Sequence, residues 1–167
     1  MSNLCVLHLL QMHRDLEQVL DQLASLLEEL AKESPDQATR ESSLYITEVL
    51  ERHLDRLLRK KENVLFPALE AFLPRDLGPL AVLRAEQAEL CSHFTCMRQA
   101  VRSLAEDKNQ PLPWEDFQRA GRVTLQILRD QIYKEDRVLF PMVCRLLTPD
   151  QDAHLLQQME KIDAAGV

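Results

Sequence analysis

The stretch Lys61-Glu62-Asn63-Val64-Leu65-Phe66-Pro67 recurs 74 positions later as Glu135-Asp136-Arg137-Val138-Leu139-Phe140-Pro141. Leu-Phe-Pro is a rare tripeptide, and more of the chain follows the same offset. It carries Leu16 onto Leu90, Asp15 onto Glu89, His13 onto Gln87, Leu57 onto Gln131 and Lys61 onto Glu135. One structural unit has been copied. Each copy holds two long segments with apolar residues at helical 3-4 spacing, so the unit is a helical hairpin.

Working outward, four such segments span about 3–32, 37–72, 76–106 and 114–147. Three breaks separate them: Ser34-Pro35-Asp36, Leu73-Pro74-Arg75-Asp76, and the run from Asp107 to Pro113. Thr148-Pro149-Asp150 reads as N-cap, first-turn proline and acidic first turn of a short final helix. Its Leu155, Leu156, Met159 and Ile162 are expected to dock it on the rest. Short connections between long helices favour antiparallel neighbours. The expected fold is therefore all-α: an up-down-up-down four-helix bundle, a duplicated helical hairpin, with a short C-terminal helix. Pro67 and Pro141 are expected to kink the second and fourth helices.

The 167 residues, with three glycines and abundant helix formers, suit one domain over 1–167. Acidic residues number 27 and basic residues 20, a formal charge of −7, which argues against a nucleic-acid partner. Met1–Leu10 lacks a basic start and a cleavage pattern, and no apolar run is long enough to span a membrane. Cys5, Cys91, Cys96 and Cys144 have no CxxC pair or disulfide-framework spacing. A cytoplasmic protein with reduced, redox-silent thiols is the expectation.

The core-facing seams read as follows. The first helix gives Val6, Leu9, His13, Leu16, Leu20, Leu23, Leu27 and Leu30; the second gives Thr47, Leu50, Leu54, Leu57, Lys61, Leu65 and Ala68. The third gives Leu80, Leu83, Gln87, Leu90, Phe94, Met97, Val101 and Leu104. The fourth gives Phe117, Gly121, Thr124, Leu128, Gln131, Glu135, Val138 and Met142. Five polar residues intrude: His13, Lys61, Gln87, Gln131 and Glu135. Counted from the turns they fall at one height, to within about one helical turn. Burying them is costly unless they pair with each other or with a metal.

This pattern resembles the hemerythrin-like, or HHE cation-binding, family of four-helix bundles. The family's His-x-x-x-Glu-Glu-x-x-Leu-Phe-Pro type of motif corresponds to Leu57–Pro67 and to Gln131–Pro141. The resemblance covers about Leu4–Leu147. It implies two irons held between the helices by histidines and carboxylates, for oxygen binding or for iron or redox sensing. Transferred to this chain, the ligand set keeps His13 and Glu135, with Asp136 as a substitute carboxylate. Leu57, Lys61, Gln87 and Gln131 stand at the other ligand positions, and Cys91 one turn beyond Gln87.

A lysine ammonium opposes dications in the same cavity. The expectation is that Lys61 occupies the former metal volume and pairs with Glu135, with Gln87, Gln131 and His13 completing its hydrogen bonds. A relocated mononuclear site of Glu17, His53 and Cys91, one layer deeper, is the alternative. His8, His93 and His154 show no partner pattern and are read as surface or edge residues. The function expected is a non-enzymatic binding, regulatory or scaffold module without a cofactor. The second reading is a divergent iron or O2/NO binder. The partner would be an unidentified protein or small ligand, and a homodimer is compatible with either reading.

Overall fold

The computed structural model describes residues 3–106 and 113–166; of the break expected at 107–113, residues 107–112 lie outside them. Helix α1 runs Leu4–Lys32 and α2 Gln37–Lys60. A π-helical turn, Lys61–Leu65, joins α2 to α3, Phe66–Leu69. Helix α4 is Pro79–Glu106 and α5 Trp114–Lys134; a second π turn, Glu135–Leu139, leads into α6, Phe140–Leu146. Helix α7 is Pro149–Ala165. The second long helix ends at Leu69 rather than near Phe72, and the third begins at Pro79 rather than near Asp76. Gly78, with φ of 79°, supplies the left-handed residue that turns the chain into α4.

The helix starts follow local chemistry. Asp36 accepts from the Thr39 N–H, and Thr148 does the same with Gln151, each closing a capping box. The first helix has no such help, since Asn3 makes no side-chain cap. Asp152 of α7 caps α1 instead, accepting from the Leu4 and Cys5 N–H groups at 2.7 and 3.0 Å. The same carboxylate, added to burial, pushes the Cys5 thiol pKa well up. That offsets the acidity a helix N-terminus would give it.

Helix α1 lies beside α2 and α5, and α4 beside α5 and α2. The four long helices thus form a ring, with α2 and α5 on one diagonal. Gly121 permits a close approach within it: a Cβ there would stand 3.1 Å from the Leu27 side chain and 3.5 Å from Met97. Helix α7 packs across α1, α2 and the first π turn, burying Leu155 and Met159 with Leu156 and Ile162 half-buried.

The two prolines do not break their helices. A proline lacks the N–H and crowds the carbonyl four residues back. Here the preceding turn is widened instead, closed by the Phe66 N–H on Lys61 O and the Phe140 N–H on Glu135 O. The extra residue shifts the seam. Leu65, Phe66 and Leu69 face the core in one copy, and Leu139, Phe140 and Val143 in the other. Val138 is therefore exposed and Met142 and Ala68 half-buried, where a regular 3-4 spacing would bury them.

Candidate functional site

All five intruding side chains are inside: His13 is 1% exposed, Lys61 2%, Gln87 6%, Gln131 3% and Glu135 0%. Lys61 and Glu135 each open a π turn, so the widened turns present these two residues from opposite corners of the bundle. The Lys61 Nζ donates to Glu135 Oε1 at 2.6 Å. The other oxygen, Oε2, lies 3.2 Å from His13 Nε2, a close contact without hydrogen-bond alignment. On the far side of the imidazole, Nδ1 meets Asp136 Oδ1 at 2.6 Å. The Phe140 ring stacks on His13 with centroids 5.2 Å apart and 22° between planes.

The charges form an alternating chain: Lys61, Glu135, His13, Asp136. Burial alone would lower the His13 pKa, but the Asp136 hydrogen bond, the close Glu135 carboxylate and the negative charge of both outweigh it, so the pKa is raised. For Glu135 burial alone would raise the pKa, and the Lys61 ammonium followed by His13 reverses this, holding it down. With His13 protonated the four groups sum to zero charge, the condition under which buried ions are tolerable.

Two expected roles change. Gln87 and Gln131 are buried but leave Gln87 Oε1 and Gln131 Nε2 without hydrogen-bond partners, and Thr124 Oγ1 joins them. His13 turns to the carboxylates rather than to Lys61, and each glutamine leaves one polar atom unpaired. The reason is charge: an ammonium and an imidazolium both gain more from a buried carboxylate than from a neutral amide. Asp136, read from sequence as a substitute ligand, acts on the outer side of His13. It fixes the ring through Nδ1 and aims Nε2 at the layer, as carboxylates do behind ligand histidines.

A diiron centre does not fit this donor set. Glu135 already carries the ammonium of Lys61, and the nitrogens of His13 face different carboxylates, so the three acidic and imidazole groups share no focus. Among the described residues no group of three or more His, Cys, Asp or Glu is placed to hold a metal. Nor are Glu17, His53 and Cys91 brought together. Glu17 and Cys91 are exposed on α1 and α4, while His53 is half-buried, its pKa lowered chiefly by burial. Helical spacing alone placed them one turn from the layer, but on its flanks.

One buried cluster escaped the sequence reading. Lys60, fully buried beside Lys61, donates from Nζ to Asp163 Oδ1 at 2.6 Å and to His8 Nε2 at 2.8 Å, and lies 3.3 Å from Met12 Sδ. His8, read as a partnerless edge residue, thus helps clasp α7. His154 is exposed beside Gln158, and His93 lines an open groove between α4 and α5.

Two comparisons bear on this site. The family model described as Hemerythrin HHE cation binding domain matches residues 6–143, a span that holds the whole polar layer. No curated protein matches the chain.

Proposed function

The chain belongs to the hemerythrin HHE cation-binding family, and within it we propose a non-enzymatic binding or regulatory bundle whose Lys61–Glu135 pair stands in for the diiron centre. One observation carries the proposal: the Lys61 ammonium lies 2.6 Å from the one glutamate kept among the family's ligand positions. A dication about 4 Å from that ammonium would be repelled by about 8 kcal/mol at an effective dielectric near 20. The layer then fixes the bundle's register, and binding falls to its outer faces. No helix among the described residues is long and apolar enough to cross a membrane. All four cysteines are free, two of them exposed, which suits a reducing compartment such as the cytoplasm.

Metal analysis and a visible spectrum, on protein purified without chelators or a His-tag, test the proposal. It expects colourless protein without stoichiometric metal. Stoichiometric iron with charge-transfer bands would overturn it.

A second reading, a mononuclear iron or O2/NO site, is favoured by one detail. His13 Nε2 and Glu135 Oε2 face each other without hydrogen-bond partners, and Asp136 already orients the imidazole. The same measurement separates the two.

A further inference from the structure

The duplication leaves one seat empty. Helix α7 rests on the first half of the bundle, held by Asp152 on the α1 backbone and by Asp163 on Lys60. Moving that seat by the repeat offset of 74 lands on α4, α5 and the second π turn. An apolar groove lies there, lined by Pro79, Val82, Leu83, Lys134, Val138 and Leu139. Each is the repeat image of a first-half residue: Cys5, His8, Leu9, Lys60, Val64 and Leu65. The first of these bonds to α7 through its backbone, and His8 and Lys60 through their side chains. Val64, under α7, is 5% exposed; its image Val138 is 54% exposed and Val82 is 52%.

Three features point to a specific occupant. Where the covered seat has polar His8, the bare groove has Val82, so the empty copy is the more apolar one. Lys134 repeats Lys60, whose ammonium in the covered seat is met by an α7 carboxylate. Lys134 pairs with Glu86, the image of Met12, at a half-exposed position where an incoming carboxylate can compete. Finally, the groove encloses about 180 Å³. That is well under the roughly 300–1,000 Å³ of small-molecule sites and suits a few side chains of a helix laid across it.

We propose that this groove docks an amphipathic helix of a partner protein with the chemistry of α7: a Leu/Met face flanked by a carboxylate that reaches Lys134. The proposal deepens the reading of the chain as a binding module and rests on it, while leaving the polar layer untouched.

The probe is a labelled peptide of residues 148–165, this chain's own α7 sequence, titrated into the full-length protein by fluorescence anisotropy. Saturable binding is expected, weakened at least tenfold by Val138→Glu or Lys134→Glu in the protein and by Leu155→Glu in the peptide. Val138 is exposed, so its variant keeps the fold, which circular dichroism checks. No binding overturns the proposal. So does binding that survives Val138→Glu, which reports exchange into the α7 seat, and so does a concentration-dependent dimer abolished by Val138→Glu, which puts a second copy in the groove. Iron content is measured on the same samples. Metal-loaded protein that binds the peptide sinks the reading of the polar layer and keeps the groove; metal-free protein that ignores the peptide does the reverse.

Discussion

Lys61 and Glu135 are the same position of a duplicated hairpin, 74 residues apart in the chain and 2.6 Å apart in the core. Each is the first residue of its π turn, so the widened turn that accommodates the proline six residues later also delivers the charge. Duplication placed two equivalent side chains face to face, and opposite charge makes that placement favourable. The ion pair and the π turns are one design.

Removing half of the pair tests its structural weight. Lys61→Met leaves Glu135 buried with only His13 close by, and truncating one partner of a buried pair costs about 3–5 kcal/mol. Urea denaturation near neutral pH should register a loss of that size. The double variant Lys61→Met/Glu135→Leu should recover much of it, because the unpaired charge is gone. A loss under about 1 kcal/mol for the single variant would mean that Glu135 is not held by Lys61.

The polar layer also sets how stability varies with pH. His13 has its folded-state pKa raised above the ordinary 6.5, so its contribution is complete below that value and fades as pH rises through the raised one. Glu135, lowered from 4.5, contributes above its ordinary value and loses that contribution as pH falls through the lowered one. Wild-type stability should therefore be greatest in the weakly acidic range. His13→Gln should cost more at about pH 6 than at about pH 9, measured by denaturant midpoints in the same buffer series. The reverse order would mean that His13 is neutral in the folded protein.

Asp152 reaches across the fold to cap a helix it does not belong to. Asp152→Ala leaves the Leu4 and Cys5 N–H groups without their acceptor, and loss of a cap costs about 1–2 kcal/mol. Amide exchange should speed up in the first turn of α1 and at the start of α7 together. Asp152→Asn, which keeps an acceptor but not the charge, should fall between. If α1 alone loosened, Asp152 would not be what ties α7 to it.

What the sequence made legible followed physical range. Helix starts at Asp36 and Thr148 depend on residues three positions away, and the seam as far as Lys61 and Glu135 depends on one period. Both could be read. The π turns insert a single residue without changing composition, so 3-4 spacing carries Val138 and Met142 into the seam, although Val138 is exposed and Val143 is buried in place of Met142. Lys60 and Lys61 are neighbours, and spacing selects only Lys61. Lys60 is buried because α7 folds back from 103 residues away to meet it, a contact with no local signal. Asp136 follows Glu135 directly and reads as a spare ligand, while its place behind the imidazole belongs to the assembled bundle.

If the layer is a metal site with the metal replaced, it should be convertible back. Leu57→His, Lys61→Glu, Gln87→His and Gln131→His together remove the ammonium and add a carboxylate and three imidazoles. Two of the histidines then stand four residues before a glutamate on one helix face, a spacing that points both ligands inward. His13 Nε2 and Glu135 Oε2 already face each other at 3.2 Å, with Asp136 holding the ring. The quadruple variant should bind ferrous iron anaerobically, gain a visible absorption on exposure to oxygen, and melt at a higher temperature with iron than without. Adding Asp136→Asn should weaken iron binding about 10–100-fold while leaving the fold intact, since the imidazole loses its orienting carboxylate. Lys61→Glu alone should bind no iron and be less stable than wild type, because it buries two carboxylates against one imidazole. A folded quadruple variant that ignores iron would mean that the helices have moved off ligand spacing, and that the Lys61–Glu135 pair fills a space no metal fits.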